Sequence, residues 1–472
     1  ILLKANKLPM KNRCLIFSLF FALYAFAQNN GKVNKKAVKR LIEDVSALAS
    51  DQMEGREPGT MGEIKARDYI KRRMLEIGLE PKGTDGFVQD FSYFENVKQK
   101  PNKTKLTINN KLMRLNHDFY PISLSSNGTI TDVPVLGVSY GIHLPDSSYS
   151  NYDNLDLEVN GYVVQIDLAS PDVLNTETAD VLSRVVEARN RGAVAVLLYT
   201  SQKGHKLPNI NYKRIESIGI PVLVLKSSAF AKVPEEYIEN ASLSVNQYEV
   251  REQAHNVIGF INNNADNTVV ISGHYDHLGY GGEGSKYKGP RKIHNGADDN
   301  ASGTAGVLEL AHYFKNNKKQ EKNNFLFIAF SGEEKGLLGS RYFVNNPTIA
   351  LKNLNYLINM DMIGRMEKDM PLTIEGLGSS LMWEPLIKET DWKAFPFTLK
   401  KREDGPSDHA PFYAFGVPVL HIWTGKHDDY HKPSDDIEKI NFEAESKIIS
   451  FIETFILLMD EKAKVDFHLR EK

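Results

Sequence analysis

Apolar positions along this chain follow two periods, and the changes between them outline its architecture. Over residues 36–50, Val38, Leu41, Ile42, Val45 and Leu48 recur at helical spacing. A second amphipathic helix is predicted over 62–77, stopped by Gly78. Residues 87–93 alternate as a strand does, and 105–115 read as a hairpin around Asn109-Asn110. The character changes from about 124 to 246. There, short β-type runs at 133–138, 161–166, 194–199 and 220–225 surround one strong helix over 179–191, closed by Gly192. This stretch reads as a compact α+β module inserted into a larger, discontinuous domain made of 31–123 and 247–472. From about 252, strand and helix alternate. Strands are predicted at 268–272, 325–330, 356–360, 372–374 and 417–422, and helices at 302–316, 337–344 and 442–459. The helix at 302–316 carries its apolar face on Val307, Leu308, Leu310, Ala311 and Phe314. Such alternation predicts an α/β fold: a mixed, mostly parallel sheet with helices on both faces. The almost wholly apolar run 325–330 fits a strand covered on both sides.

Composition adds bounds. The 472 residues are 41% hydrophobic, enough for a large core and roughly two to three domains. An apolar run of membrane type occurs only near the start. Met10-Lys11-Asn12-Arg13 leads into an apolar block at 14–24 and the small-x-small sequence Ala25-Phe26-Ala27. This is the layout of a secretory signal peptide, with 1–9 as upstream read-through. The expectation is a soluble, secreted or periplasmic mature protein with no membrane span. Cleavage after Ala27 removes four basic residues and no acid, taking the formal charge from −2 to −6, and removes the single cysteine, Cys14. No disulfide framework or thiolate metal site then remains. A mildly acidic chain without basic blocks leaves no footprint for nucleic acid.

The chemistry gathers at the ends of the predicted strands, where open α/β sheets bind ligands. After 325–330 comes a break, Ser331-Gly332, and then Glu333 and Glu334. Gly332 permits the turn that brings both carboxylates to one site. After 268–272 stands Gly273-His274-Tyr275-Asp276-His277. Asn295-Gly296-Ala297-Asp298-Asp299-Asn300 opens a helix. The strand 356–360 runs into Asp361, and Asp429-Tyr430-His431 follows the last strand by a loop. Each alone has an ordinary reading: a satisfied polar residue, helix capping, a turn. Together they offer two histidines and three acids, a ligand set for two divalent ions with one carboxylate to bridge them and a glutamate to spare.

In these motifs the chain resembles the zinc-dependent exopeptidase family of secreted bacterial leucyl aminopeptidases, aminopeptidase Y and, more distantly, glutamate carboxypeptidase II. His-x-Asp, Gly-x-x-Asp-Asn-x-Ser-Gly, Glu-Glu, Asp-Met-x-Gly and the late Tyr-His occur in family order. The segment 124–246 resembles the protease-associated (PA) domain that many members carry, with an expected part as lid or protein-contact surface. The resemblance implies a zinc exopeptidase fold, peptide substrates and two zinc ions held by His274, Asp299, Glu334, Asp361 and His431. Asp299 would bridge, with His274 and Asp361 on one ion and Glu334 and His431 on the other. It implies Glu333 as general base, Asp276 as the residue that orients His274, and Tyr430 as a hydroxyl donor to the tetrahedral intermediate. Asp408 and His409, in the Ser-Asp-His pattern of 402–412, are expected to be scaffold. His255, His277, His294, His312, His421 and His427 are expected to be structural or on the surface.

The activity so implied is a di-zinc aminopeptidase. A glutamate-releasing carboxypeptidase is the first alternative, and it needs a basic pocket, for which Arg402 and Lys426 are candidates. A single-zinc glutaminyl cyclase-like enzyme and a non-catalytic receptor-like relative are the others.

Overall fold

A computed structural model of the chain describes residues 33–144, 148–153, 155–169, 180–202, 207 and 217–469. The predicted leader, Cys14 included, lies outside them. Contacts divide the chain into two compact units, 1–93 with 253–472, and 94–252.

The first unit opens with the helix Lys35–Leu48, whose N-cap Asn34 accepts from the amides of Lys36 and Ala37. The helix Met61–Ile77 follows and ends in a left-handed Gly78. Two strands come next, β1 (Glu80–Pro81) and β2 (Val88–Gln99), the latter running on beyond the first unit. The second unit carries β3 (Lys105–Ile108), β4 (Lys111–Met113), β5 (Phe119–Pro121), β6 (Gly128–Gly137), β7 (Val163–Asp167), β8 (Ala195–Tyr199), β9 (Val222–Leu225) and β10 (Asn240–Val245). The chain returns through β11 (Gln247–Ile261), β12 (Thr268–His274), β13 (Asn324–Phe330), β14 (Leu354–Met360), β15 (Leu372–Glu375), β16 (Phe397–Leu399) and β17 (Val419–Trp423).

The first unit's sheet runs β1-β11-β13-β12-β14-β17-β15-β16, with β2 also paired to β11. Its centre, β13-β12-β14-β17, is parallel, while β11 and β15 join it antiparallel. Every residue of β12, β13 and β14 is buried. Side chains alternate between faces, and two cores result. Val269, Ile271, Phe325, Phe327, Tyr356 and Ile358 join one, and Val270, Leu326, Ile328, Phe330 and Leu357 the other. The helices Gly303–Asn316 and Phe442–Asp460 cover the first face with Leu308, Phe314, Ile452 and Phe455. Phe314 stacks on Phe325 at 4.3 Å between ring centroids. No helix among the described residues is long and apolar enough to cross a membrane.

The second unit is wider than the module expected at 124–246. It begins at 94, because β3 pairs with β10 and β5 with β9. Its sheet runs β4-β3-β10-β6-β7-β8-β9-β5, and β6 to β9 are parallel neighbours. The helix Val181–Asn190 supplies a crossover that parallel strands require. The centre of this unit is therefore α/β in character, with antiparallel strands at its margins, where the sequence pattern predicts α+β.

Phe327, fully buried in β13 between its neighbours, tests the central packing. Phe327→Ala is expected to destabilise the first unit by about 3–5 kcal/mol, measured from the denaturant midpoint of the transition that reports it.

Candidate metal centre

The carboxyl ends of the parallel strands bring the motif residues together. His274 is the last residue of β12, Asp361 follows β14, and Glu333 and Glu334 follow β13 across Gly332, whose φ is +79°. Asp299 lies in an irregular helical turn, Ala297–Ser302, that leads into the helix Gly303–Asn316. Asn300 fastens that turn to the sheet: its amide donates to the Met360 carbonyl at 3.0 Å, and its oxygen accepts from the amides of Met362 and Gly303. Asp299 is thereby held beside Asp361.

The side chains of these acids converge on two imidazoles. Asp299 Oδ1 lies 3.5 Å from His274 Nε2, and its Oδ2 lies 3.2 Å from His431 Nε2. Asp361 Oδ1 is 3.3 Å from His274 Nε2, and Glu334 Oε2 is 3.2 Å from His431 Nε2. His274 Nδ1 faces the Asp276 carbonyl at 3.2 Å, and His431 Nδ1 faces the Gly284 carbonyl at 2.9 Å. A carbonyl only accepts, so both Nδ1 atoms carry a proton, and each Nε2 is turned toward two carboxylate oxygens. Lone pairs do not face anionic oxygens at these distances unless a proton or a cation lies between them. Tetrahedral ligands about 2.0–2.1 Å from a divalent ion stand roughly 3.3 Å apart, which matches these spacings. The donor set, nitrogens and carboxylates without thiolate, suits zinc.

Electrostatics point the same way. Burial opposes a charge on His274, yet Glu333 and Asp361 outweigh it and raise its pKa well above the ordinary value. Burial likewise opposes charge on His431, but hydrogen bonds to Asp299 and Glu334 lift it to about 10. Asp299 is raised by burial and by Glu334. Glu334 is lowered despite burial, because His277 and His431 hydrogen-bond to it. Asp361 is lowered against burial by His274. Glu333 is raised well above the carboxylate range by burial, with Asp361 and Glu334 adding to it against the pull of His274.

Asp298 and Asp299 part company. Asp298 Oδ1 accepts from the Gly364 amide at 2.7 Å and the Ser302 hydroxyl at 3.1 Å, and its Oδ2 lies 3.2 Å from His427. It is bonded into the scaffold while Asp299 faces the imidazoles. Asp276 touches His274 and also reaches beyond it. Its carboxylate is 3.7 Å from His274 Nδ1, and its stronger contacts are with the amides of Glu333 and Glu334, at 3.1 and 3.3 Å. The Asp276 carbonyl and carboxylate both face the His274 imidazole, and the carboxylate also fastens the Glu-Glu loop. Tyr430 stacks on His431 at 3.8 Å between centroids, with Lys286 and Lys426 over its ring. Arg402 is exposed, with its Nε 4.0 Å from Asp404 Oδ1. Asp408 is fully buried, its carboxyl pushed up to about 7 chiefly by burial. His409 stacks on His421 at 4.5 Å in the core.

Three supports escaped the sequence reading. His277 Nδ1 lies 2.8 Å from Glu334 Oε1, so the expected structural or surface histidine touches the centre itself. Arg56, in a loop that reads as merely polar, is fully buried and donates to the carbonyls of Leu48, Tyr275, Asn295 and Gly296 at 2.6–2.9 Å. Burial lowers its pKa to about 10, with Asp276 and Asp299 working to keep it charged. Glu63 receives the Tyr275 hydroxyl, the Ser331 hydroxyl and His255. The spacing His274-x-x-His277 was the one available signal.

Residues 256–456 match the model of peptidase family M28. Among curated proteins, the chain is similar to the aminopeptidase YwaD of Bacillus subtilis, 29% identical over 54% of this chain and 55% of that protein. It thus spans about half of that relative's length. An aminopeptidase of Pseudomonas aeruginosa is 24% identical over 89% of this chain and 80% of its own. Among solved structures, the aminopeptidase of Aneurinibacillus sp. strain AM-1 superposes with a TM-score of 0.53 at 20% identity, covering 91% of this chain and 94% of that one. BSAP, a zinc aminopeptidase from Bacillus subtilis, superposes with 0.51 at 22% identity, covering 92% and 98%. At these identities the structures establish a shared fold.

Arg56 carries a stability prediction. Arg56→Met leaves several buried carbonyls without a donor, at about 1–3 kcal/mol each. A loss of about 3 kcal/mol or more is expected in denaturant unfolding of the metal-free chain, and Arg56→Lys should fail to restore it, since an ammonium lacks the planar fork.

Proposed function

We propose that this chain, whose residues 256–456 match peptidase family M28, is a zinc-dependent aminopeptidase that removes the N-terminal residue of peptides with two zinc ions and Glu333 as general base. The observation that carries the reading is the Asp299 carboxylate, one oxygen toward His274 and the other toward His431. His274 and Asp361 would hold one ion and His431 and Glu334 the other, with Asp299 shared between them. Bound zinc supplies Lewis acidity, lowering the pKa of water to about 7 and polarising a carbonyl.

The chain's own groups do the rest. Glu333 takes a proton from the attacking water and returns it to the leaving nitrogen. Tyr430 is kept protonated by burial and by the carboxylates around it, and so is a donor for charge developing on the substrate's carbonyl oxygen. We further infer that the signal-like segment at 10–27 exports the protein, and that the second unit is a PA-like insert that acts as lid or protein-contact surface.

A second reading, release of a C-terminal residue, draws on Lys286 and Lys426, 4.2 and 4.7 Å from the Tyr430 ring centroid. These cations could receive a free carboxylate. An aminoacyl-nitroanilide assayed beside an N-acylated dipeptide separates the two: cleavage of the first alone supports the aminopeptidase, and cleavage of the second alone overturns it.

Glu333→Gln tests the base. It should retain the zinc content of the wild type while turnover falls by about 10²–10⁴-fold. Undiminished peptide hydrolysis by that variant contradicts the assignment. Exhaustive chelation of the wild type should abolish activity, and added zinc should restore it.

A further inference from the structure

The three carboxylates of the centre are not held alike. Asp299 points one oxygen at each imidazole. Of the two imidazoles that face Asp299, Glu334 and Asp361 each meet one, with one oxygen, and in both the second oxygen is taken by another side chain. Glu334 Oε1 accepts from His277 Nδ1 at 2.8 Å, while Oε2 faces His431. Asp361 Oδ2 accepts from the Ser407 hydroxyl at 3.0 Å, while Oδ1 faces His274. Both donors are themselves fixed. The Ser407 hydroxyl receives the Asn359 amide at 3.0 Å, which directs its proton toward Asp361. The His277 ring is buried against Gly296, where an added Cβ would stand 2.5 Å from its Cδ2. Arg56 holds the Gly296 and Tyr275 carbonyls on either side of that contact.

His277 also differs from the two histidines that face Asp299. Those donate Nδ1–H to a backbone carbonyl and present Nε2. His277 donates Nδ1–H to a carboxylate, and its Nε2 is buried without a hydrogen-bond partner among the described residues. Its proton-bearing nitrogen is therefore spent on Glu334 and has no lone pair to offer a metal.

Building on the two-ion reading above, we propose that His277 and Ser407 are paired positioning residues. Each blocks one oxygen of a terminal carboxylate, so that Glu334 and Asp361 are one-oxygen ligands and only Asp299 bridges. His277 serves the His431 side and Ser407 the His274 side. A carboxylate left free to swing could chelate one ion with both oxygens or reach the neighbouring ion, and the two sites would lose their separation.

The test is stepwise zinc titration of the full-length chain against a chromophoric chelator, with zinc content by mass spectrometry, on wild type, His277→Ala, His277→Asn, Ser407→Ala and the double alanine variant. Wild type should bind two ions in two steps. His277→Ala should weaken one step by about 10–100-fold and leave the other unchanged. Ser407→Ala should weaken the other step, and the double variant both. His277→Asn, whose amide nitrogen occupies the Nδ1 position, should recover most of the lost affinity. Thermal unfolding of the metal-free forms separates these effects from general loss of fold. If wild type binds two ions and both alanine variants do so with unchanged affinity, the positioning roles are overturned and the two-zinc reading stands. If His277→Asn is as weak as His277→Ala, His277 is a direct ligand and its assignment here is overturned. Weakening of one and the same step by both alanine variants overturns the division of labour. A wild type that binds fewer than two ions overturns both readings.

Discussion

Two imidazoles, each aiming Nε2 at a pair of carboxylate oxygens, set the condition that the rest of the centre must meet. Such a constellation is stable only with positive charge inside it. Protons meet the condition in part, by charging His274 and His431. Divalent ions meet it more fully, since each replaces two or more repulsions with bonds. The remaining features of the site follow from keeping four acids close enough together for that to matter.

The scaffold does so by using strand ends as fixed points. Parallel strands buried on both faces have little freedom, and the residues that follow them inherit their positions. Backbone donors and acceptors then lock the loops. Asp276 ties down the two glutamates, Asp435 accepts the amides of Asp298 and Asp299, and Thr304 donates to the carbonyl of His274. Arg56 works from beneath, a buried cation whose hydrogen bonds go to backbone carbonyls and whose charge faces the acids above. It leaves the carboxylates unpaired and hence available for metal.

Much of this was legible in the sequence, for identifiable reasons. The cores of β12, β13 and β14 are unbroken apolar runs, and burial on both faces leaves no other pattern. The motif acids follow them directly, so the topology carries them to one edge. What was not legible depends on partners distant in the chain. β11 is solvent-exposed in its first half and buried in its second, so neither period describes it. The second unit's start was hidden because β3's pairing with β10 and β5's with β9 span more than a hundred residues of sequence. Arg56 looked like loop polarity because its acceptors are carbonyls, which no side-chain pattern records. His277 looked like a bystander because its role lies in the contact with Glu334, fifty-seven positions away in sequence.

The most direct measurement of the central claim is X-ray diffraction from zinc-loaded crystals at energies on either side of the zinc absorption edge. Two anomalous peaks are expected, one on each side of the Asp299 carboxylate, the first beside His274 and Asp361 and the second beside His431 and Glu334. A single peak, or density for zinc away from these side chains, would contradict the account.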